Sequence, residues 1–375
     1  MWAGRLVSTM SRRLGISRGY PGQNPVDGPR GPIRLVSHRT PEGGRPRCSS
    51  WPKVRPQAAR SSIVEIAPGA AILDFRDTGP SRYRIGRVGR VISHATSPGR
   101  LLGISDIHVG NPENREVVEG LRAESDDDWL IVAGDVAELI SDIEWALRVL
   151  RDRFHTVIWV PGNHELWTLA QDPVTLRGRA RYQHLVELCR ALGVITPEDS
   201  YPVWRGPGGP ARVAPLFLLY DYTFRVEGTH TKEQSLAYAQ QTGIVCADEV
   251  LLHSDPYPSR EAWCRARVTE TERRLLACDP EVPLVLVNHW PLIREPTRVL
   301  RYPEFAQWCG TELTAQWHHR FSTAAVVYGH LHIRGSTVHD GVRFEEVSLG
   351  YPREWTPRGL PRPVLRPILP ARESR

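Results

Sequence analysis

The feature that most constrains the fold is a series of short apolar runs that alternate with longer segments of helical periodicity. The runs are rich in Val, Ile and Leu, which is typical of buried strands. The pattern predicts strands at residues 100–105, 129–134, 156–162, 215–220, 283–288, 324–329 and 342–349. It predicts helices at residues 112–123, 137–152, 174–192, 232–242 and 259–277. Alternating strands and helices indicate an α/β domain.

The last of these helices shows the local signals most clearly. Ser259 stands at its first position, and serine is favoured at helix N-caps. Glu270 precedes Arg274 by four positions, a spacing that gives modest support to a helix.

Metal-binding residue types follow five of the apolar runs, at the point where each run ends. These residues are Asp106 and His108, Asp135, Asn163 and His164, His289, and His330 and His332. Ligands of α/β proteins bind at the carboxyl ends of the strands, where loops meet over a rigid scaffold. His330 and His332 are two positions apart, so an extended backbone directs both side chains to one side. The sequence therefore predicts a metal site at this edge of the sheet.

The donor types restrict the metal. Carboxylate, imidazole and amide oxygen without thiolate suit Mn, Fe, Zn or Ni and disfavour a thiolate-based structural zinc site. There are too many candidate ligands for one tetrahedral ion. Two ions about 3.5–4 Å apart that share a carboxylate would use them all, as in two-metal sites for displacement at phosphorus.

The series D-x-H, G-D, G-N-H-E, a single His after a strand and G-H-x-H resembles the calcineurin-like metallophosphoesterase superfamily. The resemblance covers about residues 99–335. It implies a four-layer αββα sandwich of two mixed sheets flanked by helices, with a dimetal site at the carboxyl ends of the strands. It also implies that Asp106, His108 and His332 hold one ion, that Asn163, His289 and His330 hold the other, and that Asp135 bridges them.

The activity implied by this resemblance is hydrolysis of a small phosphomonoester or phosphodiester. A metal-bridging hydroxide would attack phosphorus, and His164 would act as the proton donor. Glu138 occupies a position where some protein phosphatases of the superfamily carry a carboxylate that orients this histidine; otherwise it is a solvated carboxylate at a helix start, favoured by the helix dipole. The motif GDVAEL lacks the G-D-x-x-D-R-G continuation of protein Ser/Thr phosphatases, which disfavours that subfamily.

Two other functions stay open at this point. One is a non-catalytic scaffold on the same fold, and the other is a nucleic-acid phosphodiesterase. The net charge of +6 and the pI near 9.1 would favour nucleic acid as a partner. The charge is, however, unevenly distributed along the chain. Residues 1–90 hold 17 Lys and Arg against 5 Asp and Glu, whereas residues 91–350 have a net charge of −10. An acidic body disfavours extended nucleic acid as a partner.

The chain is predicted to divide into three parts. Residues 1–90 are basic and rich in Pro, Gly and Arg, a composition that favours disorder. They are interpreted either as a start codon placed upstream of true initiation near Val88 or Val91, or as a basic tail for an acidic partner. Residues 91–350 form the metallophosphoesterase domain, with a substrate-loop insertion at about 168–282. Residues 351–375 are a loosely packed Pro- and Arg-rich tail.

Targeting and redox signals are sparse. No stretch approaches the roughly 20 apolar residues that a membrane span requires, and the N-terminus lacks the apolar region of a secretory signal. The 6 cysteines are scattered, without a C-x-x-C pair. Reduced thiols in the cytoplasm are therefore expected.

A few residues outside the motifs have two interpretations. Tyr222, Arg225, Arg294 and Arg298 would frame an organic phosphate, or are ordinary packing and surface charge. The pair His318 and His319 is predicted to be an exposed helix end, and Cys309 to be a buried thiol.

Overall fold

Four strands form the first sheet of the domain. The computed structural model describes residues 98–371, so the predictions made for residues 1–90 lie outside the described part of the chain. The strands are β1 (Leu101–Ile104), β2 (Trp129–Val132), β3 (Thr156–Trp159) and β10 (Arg366–Leu369). Their order is β10-β1-β2-β3, with β1, β2 and β3 parallel and β10 antiparallel to β1.

Six strands form the second sheet. They are β4 (Val203–Trp204), β5 (Ala211–Pro215), β6 (Leu284–Val287), β7 (Thr323–Tyr328), β8 (Gly335–His339) and β9 (Val342–Glu346). Their order is β4-β5-β6-β7-β9-β8. The four central strands are parallel, and the two edge strands pair antiparallel to their neighbours.

Helices and short 3₁₀ turns connect these strands. The helices are α1 (Pro112–Gly120), α2 (Ile140–Arg151), α3 (Asn163–Leu166), α4 (Gly178–Ala191), α5 (Lys232–Gln241), α6 (Asp248–Leu251), α7 (Arg260–Leu276), α8 (Trp317–Arg320) and α9 (Pro352–Trp355). The predicted N-cap of α7 is confirmed, since the Ser259 hydroxyl accepts from the Ala262 amide at 3.2 Å. Glu270 pairs with Arg273 at 2.5 Å and not with Arg274. Across residues 98–371, no helix combines the length and the apolar character needed to cross a bilayer.

Successive side chains of each strand point to opposite faces of the sheet, and this divides the core into two parts. Ile131 and Val285 belong to a cluster enclosed between the two sheets. Leu130 and Leu286, their strand neighbours, pack on the opposite faces with apolar residues of the helices. Because successive strand residues point to opposite faces, every central strand is buried on both sides. The predicted α/β sandwich of two mixed sheets with flanking helices is confirmed.

The strand predicted at 215–220 is wrong in its position. β5 ends at Pro215, opposite the last residue of its partner β6. Beyond that point the Leu218 amide donates to the side-chain oxygen of Asn288 at 3.1 Å and not to the backbone of a neighbouring strand. The apolar run reflects burial, because residues 216–220 are almost fully enclosed. The predicted insertion at 168–282 also supplies β4 and β5 of the second sheet.

The prediction of a loosely packed tail from residue 351 is also wrong. Residues 366–369 form β10, and Ile368 and Leu369 are buried in the cluster between the sheets. Proline is tolerated at a sheet edge, where a missing amide leaves no central ladder bond unmade. The Pro- and Arg-rich composition therefore concealed a short edge strand.

Candidate metal centre

The predicted ligands all lie at or just beyond the carboxyl ends of parallel strands. Asp106 and His108 follow β1, Asp135 follows β2, Asn163 begins α3 after β3, His289 follows β6, and His330 and His332 follow β7. Both sheets therefore contribute side chains to one edge of the sandwich.

Unusual backbone conformations accompany these ligands. Five of the seven have left-handed φ angles: Asp106 (51°), His108 (35°), Asp135 (55°), His330 (69°) and His332 (54°). Residues other than glycine seldom adopt such angles, and those that do concentrate at functional sites. The tight loops direct the side chains inward at a cost in backbone energy.

Three donors converge on one side of the site. The Nε2 atom of His332 lies 3.0 Å from Oδ1 of Asp106 and 3.4 Å from Nε2 of His108. His108 Nε2 in turn lies 3.9 Å from Oδ2 of Asp135. These side chains correspond to the first predicted ion set, and we call Asp106, His108 and His332 set 1.

Three further donors converge on the other side. The Nε2 atom of His289 lies 3.2 Å from Nδ1 of His330 and 3.3 Å from Oδ1 of Asn163. The same nitrogen lies 3.5 Å from Oδ2 of Asp135. We call Asn163, His289 and His330 set 2. One oxygen of Asp135 thus faces both sets, so this carboxylate could contact an ion held by either set.

The side chains present fit divalent cations. Pairs of imidazole nitrogens approach each other beside carboxylate oxygens, which places several lone pairs around common points. Burial and the neighbouring imidazoles lower the pKa of His108 to about 4 and that of His330 to about 3, so both rings are neutral donors near pH 7. The clusters of His and Asp could therefore hold metal ions.

Partners behind the ligands fix which atom faces the site. His289 Nδ1 donates to the Ala133 carbonyl at 2.9 Å, which leaves Nε2 for a metal. Asn163 Nδ2 donates to Asp248 at 3.0 Å, which turns its oxygen inward. The Asp248 carboxylate also accepts from Trp167 Nε1 at 2.6 Å and from the Tyr220 hydroxyl at 3.0 Å. Such partners orient metal ligands and tune their basicity.

A second buried carboxylate joins the loops after β2 and β3. Glu165 accepts from the amides of Asp135, Val136 and Gly162 at 3.0, 2.9 and 2.9 Å. Burial and the nearby charge of Asp135 raise the pKa of Glu165 to about 7. Glu165 is the last residue of the G-N-H-E motif, but its role as an acceptor for three amides was not predicted, and Asp248 lies outside every motif.

His164 lies beside His108 of set 1 and beside Asp135. Its Nε2 is 3.8 Å from Oδ2 of Asp135, and its Nδ1 is 2.8 Å from Oε1 of Glu138. Its ring contacts the Trp167 ring, with 3.7 Å between centroids. Burial opposes the charged form, but the carboxylates of Asp135 and Glu138 raise the pKa of His164 to about 9. The side chain is positioned to hold a proton at the edge of the metal centre.

The proposed phosphate frame is not assembled in the predicted way. Tyr222 is fully buried, and its hydroxyl donates to Glu249 at 2.7 Å. Arg294 donates to the backbone carbonyl of Arg225 at 2.6 Å, and Arg298 projects into solvent.

Of the remaining minor predictions, the one for Cys309 is confirmed and the one for the histidine pair is partly wrong. Cys309 is buried, as predicted. His319 is exposed, but His318 is not, because its ring packs against Phe344. Both histidines bond to the Asp340 carboxylate, at 3.1 and 2.8 Å.

The sequence profile described as calcineurin-like phosphoesterase matches residues 99–334. The chain belongs to this family. It is therefore a metallophosphoesterase, a hydrolase that acts on phosphoric ester bonds, and the predicted family is confirmed.

Two comparisons with individual proteins extend this result. The metallophosphoesterase is 55% identical over 270 residues to the [acyl-carrier-protein] phosphodiesterase PptH of Mycobacterium tuberculosis. The aligned region covers 72% of this chain and 83% of that protein. The crystal structure of phosphopantetheinyl hydrolase (PptH) from Mycobacterium tuberculosis matches with a TM-score of 0.73 and 53% identity. That match covers 75% of this chain and 99% of the solved chain.

Proposed function

We propose that this metallophosphoesterase hydrolyses the phosphodiester that joins a phosphopantetheine arm to an acyl carrier protein. The observation that carries the proposal is a full set of converging donors in a chain 55% identical to an acyl-carrier-protein phosphodiesterase. A complete donor set argues against the non-catalytic scaffold. The relative's substrate favours a diester over a monoester, and a carrier protein over nucleic acid.

Two divalent ions are proposed, one held by set 1 and one by set 2, with Asp135 between them. Seven donors exceed what one tetrahedral ion uses, and both sets reach the same Asp135 oxygen. A pair of such ions lowers the pKa of water and offsets charge on phosphate oxygens. The donor types leave Mn, Fe, Zn and Ni as candidates.

His164 is proposed to protonate the departing oxygen, which on a carrier protein is a serine alkoxide. Nδ1 is engaged by Glu138, so the proton available to substrate is on Nε2. This nitrogen lies on the Asp135 side of the ring, where the ester would bind. General acid catalysis by a positioned histidine contributes typically 10²–10⁴-fold in rate.

A cytoplasmic location is part of the proposal. All the described cysteines are free thiols: Cys189, Cys246, Cys264, Cys278 and Cys309. Unpaired buried thiols are usual in a reducing compartment.

The test uses a carrier protein loaded with phosphopantetheine, incubated with the full chain and Mn²⁺. Intact-protein mass spectrometry should show loss of the phosphopantetheine group from the carrier. His164→Ala should slow the loss, whereas Glu116→Gln, which removes an exposed carboxylate of α1, should not. An unchanged carrier together with rapid hydrolysis of a bis-aryl phosphodiester would assign a different diester. Hydrolysis of an aryl phosphomonoester alone would contradict the diesterase proposal.

A further inference from the structure

One short segment at the end of the domain contacts every ligand of set 1. Residues 346–355 run from the end of β9 through α9 and follow the last metal-binding motif. We call them segment 346–355. Within this segment Ser348 contacts Asp106, Tyr351 contacts His108, and Glu354 contacts His332.

The contact to Asp106 is a pair of hydrogen bonds. The Ser348 hydroxyl donates to Oδ2 of Asp106 at 2.7 Å. The Gly350 amide donates to the Asp106 backbone carbonyl at 3.1 Å. The carboxylate oxygen left facing His332 is therefore Oδ1, which lies 3.0 Å from Nε2 of that ring.

The contact between Glu354 and His332 sets which ring nitrogen of His332 faces the site. Nδ1 of His332 donates to Oε2 of Glu354 at 2.8 Å, and the Tyr351 amide donates to the same oxygen at 2.9 Å. A carboxylate that accepts from one imidazole nitrogen holds the ring orientation and raises the basicity of the other nitrogen. Glu354 would thus act on a bound metal through His332.

The contact to His108 is a ring stack. The centroids of the Tyr351 and His108 rings lie 4.3 Å apart, and the interplanar angle is 16°. Nδ1 of His108 is buried without a hydrogen-bond partner among the residues that the structure describes. Stacking by Tyr351 therefore contributes to the orientation of a ring that has no hydrogen bond at this nitrogen.

Set 2 has different supports. Asn163 bonds to Asp248, and His289 bonds to the Ala133 carbonyl. Neither partner belongs to segment 346–355. The side-chain supports of Asn163 and His289 are therefore separate from segment 346–355, although the His330 amide donates to the Asp106 carboxylate at 3.0 Å.

We propose that segment 346–355 sets the affinity of the set 1 ion independently of the set 2 ion, with Glu354 and Tyr351 as positioning residues. This inference rests on the two-ion assignment proposed above. The segment is held by a contact away from the ligands: Asn114 donates to the Gly350 carbonyl at 3.0 Å and accepts from Trp355 Nε1 at 3.1 Å. Single substitutions at Glu354 or Tyr351 leave this anchor in place.

The test titrates the metal-depleted full chain with Mn²⁺ and counts free Mn²⁺ by electron paramagnetic resonance. The wild-type chain should bind two ions. Glu354→Ala should weaken one of them by about 10–100-fold, the usual effect of losing such a partner, and leave the other unchanged. Glu354→Gln, which keeps a neutral acceptor, should have a smaller effect in the same direction. Tyr351→Phe should bind as wild type, and Tyr351→Ala should weaken the same ion.

Controls separate positioning from general damage. Glu270→Gln removes an exposed carboxylate that pairs with Arg273 on α7, and it should bind both ions normally. At saturating Mn²⁺ the kcat of Glu354→Gln should return close to the wild-type value, since the defect is in occupancy. Equal weakening of both ions, or none, in Glu354→Ala would overturn the inference and leave the proposed function standing. A single ion in the wild type would overturn the two-ion assignment together with the inference.

Discussion

The Nδ1 atom of His164 lies 2.8 Å from Oε1 of Glu138, and this pair connects helix α3 to the loop after β2. The interaction fixes the ring with Nε2 towards the metal centre. It also joins two opposite charges, because His164 offsets the burial of Glu138 and lowers the pKa of that carboxyl to about 2. The sequence left two interpretations of Glu138, an orienting carboxylate or a solvated carboxylate at a helix start, and this contact favours the first.

Replacing Glu138 by Gln should move the pH dependence of catalysis. Without the carboxylate the pKa of His164 falls, so the proton donor is lost at lower pH and the basic limb of the kcat profile shifts to lower pH. His164→Ala should lower kcat by about 10²–10⁴-fold. The measurement is kcat against pH with saturating substrate and Mn²⁺. Glu116→Gln should keep the wild-type profile, and an unshifted basic limb in Glu138→Gln would mean that another group donates the proton.

Asp248 should be essential for the fold of the site. Its carboxylate accepts from Asn163, Trp167 and Tyr220. Asp248→Ala leaves these buried donors unpaired, and each such group costs about 1–3 kcal/mol. We expect the free energy of unfolding to fall by about 3 kcal/mol or more in urea denaturation of the metal-depleted protein.

The matched control for Asp248 is Asp126→Ala, an exposed carboxylate on the surface. It should change stability by less than about 0.5 kcal/mol. A similarly small change in Asp248→Ala would show that water replaces the lost acceptor.

The sequence predicts the convergence of the candidate ligands well because each of them follows the end of a buried strand. Asp106 and His289 follow apolar runs directly, so local periodicity places them. Asp248 and Glu354 could not be placed in this way. Asp248 lies on the four-residue helix α6, within a long connection, and Glu354 follows the last motif in a Pro- and Arg-rich tail. Their roles depend on tertiary contacts with residues 85 and 22 positions away.

Metal binding should release protons. Burial disfavours charge on His289, but Asp135 raises its pKa to about 9, and Asp106 likewise raises the pKa of His332 well above its ordinary value. Both rings are therefore protonated near pH 7 in metal-depleted protein and must be neutral to bind a metal. Calorimetric titration with Mn²⁺ in buffers of different ionisation enthalpy should show release of at least two protons at pH 7.

The pH dependence has a definite sign. Charge on these histidines stabilises the metal-depleted fold below about pH 6.5, and that contribution is lost as the pH rises through about 9 for His289. Affinity for Mn²⁺ should therefore increase with pH across this range. Binding enthalpy that does not depend on the buffer would contradict the assigned protonation states.

Gly329 should tolerate no side chain. A Cβ at this position would overlap the Ser105 hydroxyl and the Asp106 carboxylate, whereas a Cβ at Gly335 would meet its nearest atom at 3.7 Å, an ordinary contact. A Cβ at Gly329 is incompatible with the present position of Asp106. We therefore expect weaker Mn²⁺ binding at set 1 and a loss of about 1–3 kcal/mol in stability, typical of overpacking. Gly335→Ala is the control and should retain both properties. Wild-type Mn²⁺ binding in Gly329→Ala would mean that the loop after β7 can move away from Asp106, and that Asp106 does not depend on this close approach to reach the metal.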